Sequence, residues 1–304
     1  MTFRTLSEAA DLTQDELLRG VATAIRTTNQ LIAFQDPRIT DRATIRGNRE
    51  ASLPEGQVIG CDTEIVDQKT ETEPFDYPLE TLTTQFTTCR KVQGLASTFT
   101  DQVGVDLAGA AKGLGRTIEQ QLITGEGVAG TDMFGLTTLV PASQIIELPG
   151  NSPALTDLDH LYDIVTVRSA GAMAYIANAA TRRAIATLLR QAGGITEQNL
   201  AGTNFIVPTV NGIPVLTVDW MPNDKIMLVN TSPEDEGVFS VLGQTADMPD
   251  VQNIGGMFNL VGVGWMSNRD RYRWRLLADM AQVMQSPLAL GMLDYAAAGS
   301  GSGS

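Results

Sequence analysis

From Pro37 to Lys91 the chain offers strand-forming residues but no core. Short alternating stretches such as ATIRG, TEIVDQ and TTQFTTCRKV are interrupted by Pro54, Gly56, Pro74 and Pro78. Alternation gives a strand one face to bury, and a two-stranded ribbon cannot supply the other side of that core by itself. A segment of this kind projects as an arm and needs a surface to lie on. Its charge adds a second condition. Between residues 50 and 80 nine carboxylates, among them Glu64, Asp67, Glu71, Glu73 and Asp76, stand against Lys69 alone. A solvated loop tolerates such a strip, whereas an arm with a basic resting place uses it.

Beyond the arm, Val103, Leu107, Ala110, Ala111, Leu114, Ile118, Leu122 and Ile123 recur at helical spacing. They predict the longest helix of the chain, from about Asp101 to Thr124, with Gly125 as its stop. Gly104, Gly109, Gly113 and Gly115 lie inside it, each at a cost of about 1 kcal/mol relative to alanine, so close backbone approach or a bend is expected to account for them. An earlier helix is predicted from Thr13 to Leu31, with Thr13 as cap and Glu16 three residues on.

The remainder reads as a mixed α/β body. A helix is expected from Thr156, where Thr156 and Asp159 form a cap-like pair and Leu158, Leu161, Ile164 and Val165 face inward. AMAYIAN reads as a buried strand, and Asn178 caps a helix that ends at Gly193 and Gly194. FIVPTV and IPVLTVD flank Asn211-Gly212, a strong hairpin signal, and IMLVN and VFSVL add strands. The tail AAAGSGSGS has linker composition.

Several function classes lose their chemistry at this level. With 21 basic and 35 acidic residues the net charge is -14, the wrong overall sign for gripping nucleic acid, although a local basic face remains allowed. Cys61 and Cys89 form no CxxC, and His160 is the single histidine, so neither a cysteine zinc site nor a histidine cluster can be assembled. Gly125 to Gly130 satisfies GxGxxG, but it follows a helix instead of opening one and reads as a helix-terminating loop. His160 with Asp157, Asp159 and Asp163 supports only a remote alternative, a soluble α/β enzyme using carboxylates. The sequon at Asn230 is expected to be idle. No apolar run approaches the roughly 18 residues of a membrane span. Glu8, Asp11, Asp15 and Glu16 interrupt any signal-peptide core, so a cytoplasmic site of synthesis and assembly is expected. No catalytic, cofactor or metal-binding residue is assigned.

Arg269, Arg271, Arg273 and Arg275 alternate through NRDRYRWRL. In a strand all four share one face, with Tyr272 and Trp274 on the other. Such a stripe fits either nucleic-acid phosphate or the acidic arm of a neighbouring copy.

The order of these elements resembles the major capsid proteins of tailed bacteriophages, whose HK97-type shell fold is shared with encapsulins. The resemblance rests on an arm and proline-broken β-loop, on TTCRKVQGLASTFTDQ leading into a long helix that ends ITGEG, and on FGL at 134 to 136. VNGIPVLTVDWMPNDKIMLVN and RYRWRLLADMAQVMQSPLAL complete it. It implies an α+β chain with an N-terminal arm (1–38), an extended β-loop (39–92), a discontinuous peripheral domain with a long spine helix (93–135 and 250–295), an apical α/β domain (136–249) and a flexible tail (296–304). It further implies a noncatalytic subunit assembling into the pentamers and hexamers of an icosahedral virion head around double-stranded DNA. Portal and scaffold or decoration proteins would be its partners, and no membrane would be involved. An encapsulin shell is the alternative. The resemblance also implies that Glu64, Asp67, Glu71, Glu73 and Asp76 of one subunit meet Arg269, Arg271, Arg273 and Arg275 of the next. Crosslinking through Lys69 is not expected.

Overall fold

The computed structural model describes residues 29–52, 71–91, 102–148, 153–169, 171–194, 196–200, 205–244, 251–254 and 258–295. A short helix α1 (Gln30–Gln35) and strand β1 (Arg38–Thr40) lead into β2 (Thr44–Ser52) and β3 (Glu71–Pro78), which form an antiparallel two-stranded arm. Then come β4 (Glu80–Cys89), the long helix α2 (Gln102–Thr124) and β5 (Ile145–Glu147). Helix α3 (Leu155–Ile164), β6 (Met173–Ala177), helix α4 (Ala179–Gln191) and β7 (Thr196–Asn199) follow. The chain continues through β8 (Ile206–Val210), β9 (Ile213–Thr217), β10 (Lys225–Asn230) and β11 (Val238–Gly243). It closes with β12 (Val251–Ile254), β13 (Phe258–Trp265), β14 (Arg271–Met284) and β15 (Leu290–Asp294). The class is α+β, as expected.

Two larger sheets carry the body. In the six-stranded one β14 is the axis: β4 lies antiparallel along one side from Cys89 opposite Arg271 to Glu80 opposite Met280, and β13 and then β11 occupy the other side. The seven-stranded sheet has the order β5-β15-β10-β6-β9-β8-β7. Its inner strands β6, β9 and β10 are mostly buried and mainly apolar because both faces are covered. Tyr175 and Ala177 of β6 join the cluster that includes Leu158, Leu161 and Ile185 of α3 and α4, while the intervening Ala174 and Ile176 join the main core. That main core is shared with Leu107, Leu114, Ile118 and Leu122 of α2 and with Leu276, Met280 and Phe258 of the other sheet. One apolar interior therefore ties both sheets to the long helix.

Local chemistry explains several boundaries. Asn178 accepts the backbone N–H groups of Ala180 and Thr181 and starts α4 as predicted. Asn211 and Gly212 both take positive φ (51° and 81°) in the two-residue turn that joins β8 to β9. Helix α2 begins at Gln102 and ends at Thr124, with Gly125 following.

Other expectations need correction. The helix read from Thr13 to Leu31 lies almost wholly outside the described residues, and Leu31 belongs to α1 instead. The cause is Asn29, which is extended and donates its amide to the Gly115 carbonyl at 2.7 Å. Helix α3 starts at Leu155, not at a Thr156 cap, because Asp157 reaches back to accept the Ala154 N–H at 2.8 Å. Residues 80–89 belong to the six-stranded sheet instead of the coreless loop, since the alternation that looked like an arm buries Leu82 and Thr88 of β4 on its inner face. A division at residue 249 does not follow the sheets either: β11 joins β14, whereas β15 pairs with β10 and β5 in the other sheet.

Candidate interaction surface

The arm is anchored at its root and projects from there. Tyr77 is buried, donates its hydroxyl to the Met284 carbonyl at 3.5 Å and packs edge-on against Phe134 with ring centroids 5.4 Å apart. Burial pushes its phenol pKa up, so the group stays a neutral donor. Phe75 stands opposite Gly47 in register, and its ring fills the space a Cβ on that glycine would need. The same register places Arg46 opposite Asp76 and Arg49 opposite Glu73, and both pairs close as ion pairs, at 2.9 and 2.6 Å. Two of the five proposed acidic contacts are thus already matched within the arm. The sequence estimate of its charge started at residue 50 and left out the arginines of β2 that the hairpin register brings across. Glu71 opens β3, and Glu64 and Asp67 lie outside the described residues.

The basic stripe is a real surface with three members, not four. Arg271, Arg273 and Arg275 alternate along β14, whereas Arg269 sits in the turn before it, where its carbonyl accepts the Arg271 N–H at 2.8 Å. Opposite these arginines on β4 stand Cys89, Thr87 and Gln85, and on β13 stand Gly264 and Val261 opposite Arg273 and Arg275. Arg275 donates to the Gln85 side-chain oxygen at 3.2 Å, and among the described residues none of these arginines has an ion-pair partner. The Arg273 Nε is buried without a hydrogen-bond acceptor. At the strand's start Asp270 is taken by Arg90 at 2.8 Å, and that carboxylate raises the Arg90 pKa.

On the opposite face an aromatic row backs the arginines. Phe86 stacks on Trp274 (6.5 Å), Trp274 meets Tyr272 (4.8 Å), and Tyr272 meets Trp265 edge-on (5.2 Å). Trp265 is 57% exposed at the end of the row. The sequence reading missed it, although its place after VGVG at the end of a strand signalled an end position beyond the core.

The other motifs do not converge. Gly125 to Gly130 follows α2, and its Gly127 N–H bonds the Met133 carbonyl. His160 is exposed, Asp157 caps α3, and Asp159 accepts the Asn211 amide at 2.8 Å. Asn230 is fully buried and bonded to the Val167 carbonyl. Among the described residues no group of three or more His, Cys, Asp or Glu side chains could hold a metal, and no helix is long and apolar enough to cross a membrane.

No protein-family model and no curated protein sequence matches this chain. Solved structures do. The SrpI encapsulin of Synechococcus elongatus superimposes with a TM-score of 0.70 at 17% identity, covering 97% of this chain and 96% of that one. The capsid of cyanophage A-1(L) gives 0.66 at 14% identity, with 93% and 94% covered. A virus-like particle from Pyrococcus furiosus gives 0.57 at 14% identity, with 92% and 98% covered. Since these matches run nearly end to end on both chains, the arm, the long helix and both sheets together are the HK97-type fold of phage capsid and encapsulin subunits.

Proposed function

We propose that the chain is the repeating subunit of a closed icosahedral shell of pentamers and hexamers, and that it is the major capsid protein of a tailed bacteriophage, enclosing double-stranded DNA in the virion. The observation that carries this reading is the nearly complete, two-way coverage by subunits of capsids and encapsulins. The role is structural, and copies of the chain are its first partners. Portal and scaffold or decoration proteins belong to the same reading.

In this assembly carboxylates of the acidic segment, Glu64, Asp67 and Glu71 among them, meet the arginine face of β14 in the adjacent subunit. Among the described residues Arg271, Arg273 and Arg275 have no ion-pair partner and the Arg273 Nε has no acceptor, which supports that contact, since a carboxylate there supplies both.

The encapsulin reading is favoured by the 0.70 superposition on the SrpI shell. One preparation separates the possibilities. Electron microscopy and sedimentation of the purified chain are expected to reveal closed megadalton particles, and a stable monomer across salt and pH conditions overturns the shell reading. Nuclease-protected DNA in particles from infected or induced cells supports the capsid, and a protein cargo without nucleic acid supports the encapsulin.

A further inference from the structure

Strand β4 has one free side. Along its ten residues it pairs with β14 alone, and among the described residues no other group bonds the backbone of its outer edge. The usual protections of such an edge are missing, since no proline, charge or bulge interrupts it between Glu80 and Arg90. By contrast β3 carries Pro74, Pro78 and three carboxylates, which make its own free side a poor template for a further strand.

The edge is complementary to itself. Laid antiparallel against a second copy about Gln85, it sets Glu80 against Arg90, Thr81 against Cys89 and Thr83 against Thr87. Opposite charges meet at both ends, and no like charges face each other between them. The next strand agrees with this register. Asp279 stands beside Thr81 and Arg271 beside Cys89, so Arg271 of each copy enters the row of Asp279 of the other. Arg275 lies beside Gln85 and meets its counterpart only across three strand spacings, about 14 Å, beyond the screening length of about 8 Å at physiological salt.

Helix α2 supplies an independent observation. Asp106 accepts the Thr88 hydroxyl at 3.5 Å, which sets that flank of the helix beside β4, and Gly109 and Gly113 follow on the same flank, each one turn on. A Cβ on either glycine meets nothing within 4 Å. Paired strands lie about 4.8 Å apart and packed helices about 8–10 Å apart, so a second α2 arriving with a paired β4 is held at the near end of that range. A bare glycine backbone is what such an approach requires.

We propose that β4 pairs with β4 of a second copy across a two-fold axis, joining two six-stranded sheets edge to edge with the glycine flanks of α2 facing each other. The contact rests on the shell reading and deepens it by naming one of the two-fold joints. It uses the edge of β4 and leaves the exposed face of β14 to the arm.

Cysteine crosslinking of the full chain reads both the contact and its register. In a Cys61→Ser background, Thr81→Cys stands opposite the native Cys89 of the other copy, within the roughly 4.4–6.8 Å that a disulfide spans between Cα atoms, whereas in one strand the two lie about 26 Å apart. Mild oxidation is expected to give a covalent dimer on a non-reducing gel, and Thr83→Cys, which is out of register with Cys89, is expected to give none. Thr83→Lys with Thr87→Lys sets like charges opposite each other and should abolish assembly with the circular dichroism spectrum unchanged. Thr83→Lys with Thr87→Glu should restore it, because every facing pair is then Lys against Glu. Absence of the Thr81→Cys dimer, an equal yield from Thr83→Cys, or equal assembly of the two charge variants overturns the β4 contact. Particles without the dimer leave the shell reading standing, and a dimer without particles removes that reading while supporting the contact.

Discussion

The long helix contains two glycines whose cost nothing among the described residues offsets. A Cβ built on Gly109 or on Gly113 meets no heavy atom within 4 Å. Close backbone approach, expected from the sequence, is therefore not their explanation inside the described subunit. Replacing either by alanine removes backbone entropy from the unfolded chain and adds no contact to the folded one, a gain of about 0.5–1 kcal/mol each. The double variant is expected to be more stable by up to about 1–2 kcal/mol, with a coupling of a few tenths of a kcal/mol on top because positions 109 and 113 are i,i+4 neighbours on one helix face. Urea denaturation of unassembled subunits, followed by tryptophan fluorescence, reads this as a higher midpoint with an unchanged slope. Gly135→Ala is the opposing control. Its Cβ would lie 2.5 Å from the Gly125 nitrogen and 2.7 Å from the Ile123 carbonyl oxygen, both backbone atoms that cannot rotate away. A loss of about 1–3 kcal/mol is expected there. If the α2 double variant instead shifts in the same direction as Gly135→Ala, the outer face of the helix is not open and the reasoning fails.

Leu114 is fully buried in the core that joins α2 to both sheets. Leu114→Ala should cost about 2–5 kcal/mol in the same urea assay, and Leu114→Asp should abolish soluble expression, since it buries an unpaired charge; a soluble, assembling Asp variant would refute the packing assigned to α2. Asn178→Ala removes the acceptor for two amides at the start of α4, so a loss of about 1 kcal/mol and faster hydrogen exchange at Ala180 and Thr181 are expected. Arg271→Glu with Arg273→Glu should leave a folded subunit that fails to form particles in the microscope, and adding Glu64→Lys with Asp67→Lys should restore at least part of the yield. Shells that form normally but fill poorly would transfer the stripe's role to packaged DNA.

Much of this protein was legible wherever a residue's environment is set by its neighbours in sequence. The Asn178 cap, the Asn211-Gly212 hairpin and the bounds of α2 depend on side chains within a few positions and on a repeat that the helix itself imposes. The apolar run of β6 announced a buried strand, although not which layers would cover it. The resemblance to shell proteins rested on the order of such local signals, and order survives where identity falls to 17%. Pairing across long distances was decided only by the fold. Alternation in residues 80–89 is the same whether the strand projects in an arm or lies against β14, and only the partner settles it. Arg46 and Arg49 neutralise Asp76 and Glu73 because the hairpin register sets them opposite, a relation no charge count along the chain contains. Glu119 likewise reads as one polar residue beside an apolar stripe. Its burial against Asp219, a hundred positions away, exists only once α2 meets the turn after β9, because Coulomb energy depends on distance through space and not along the chain.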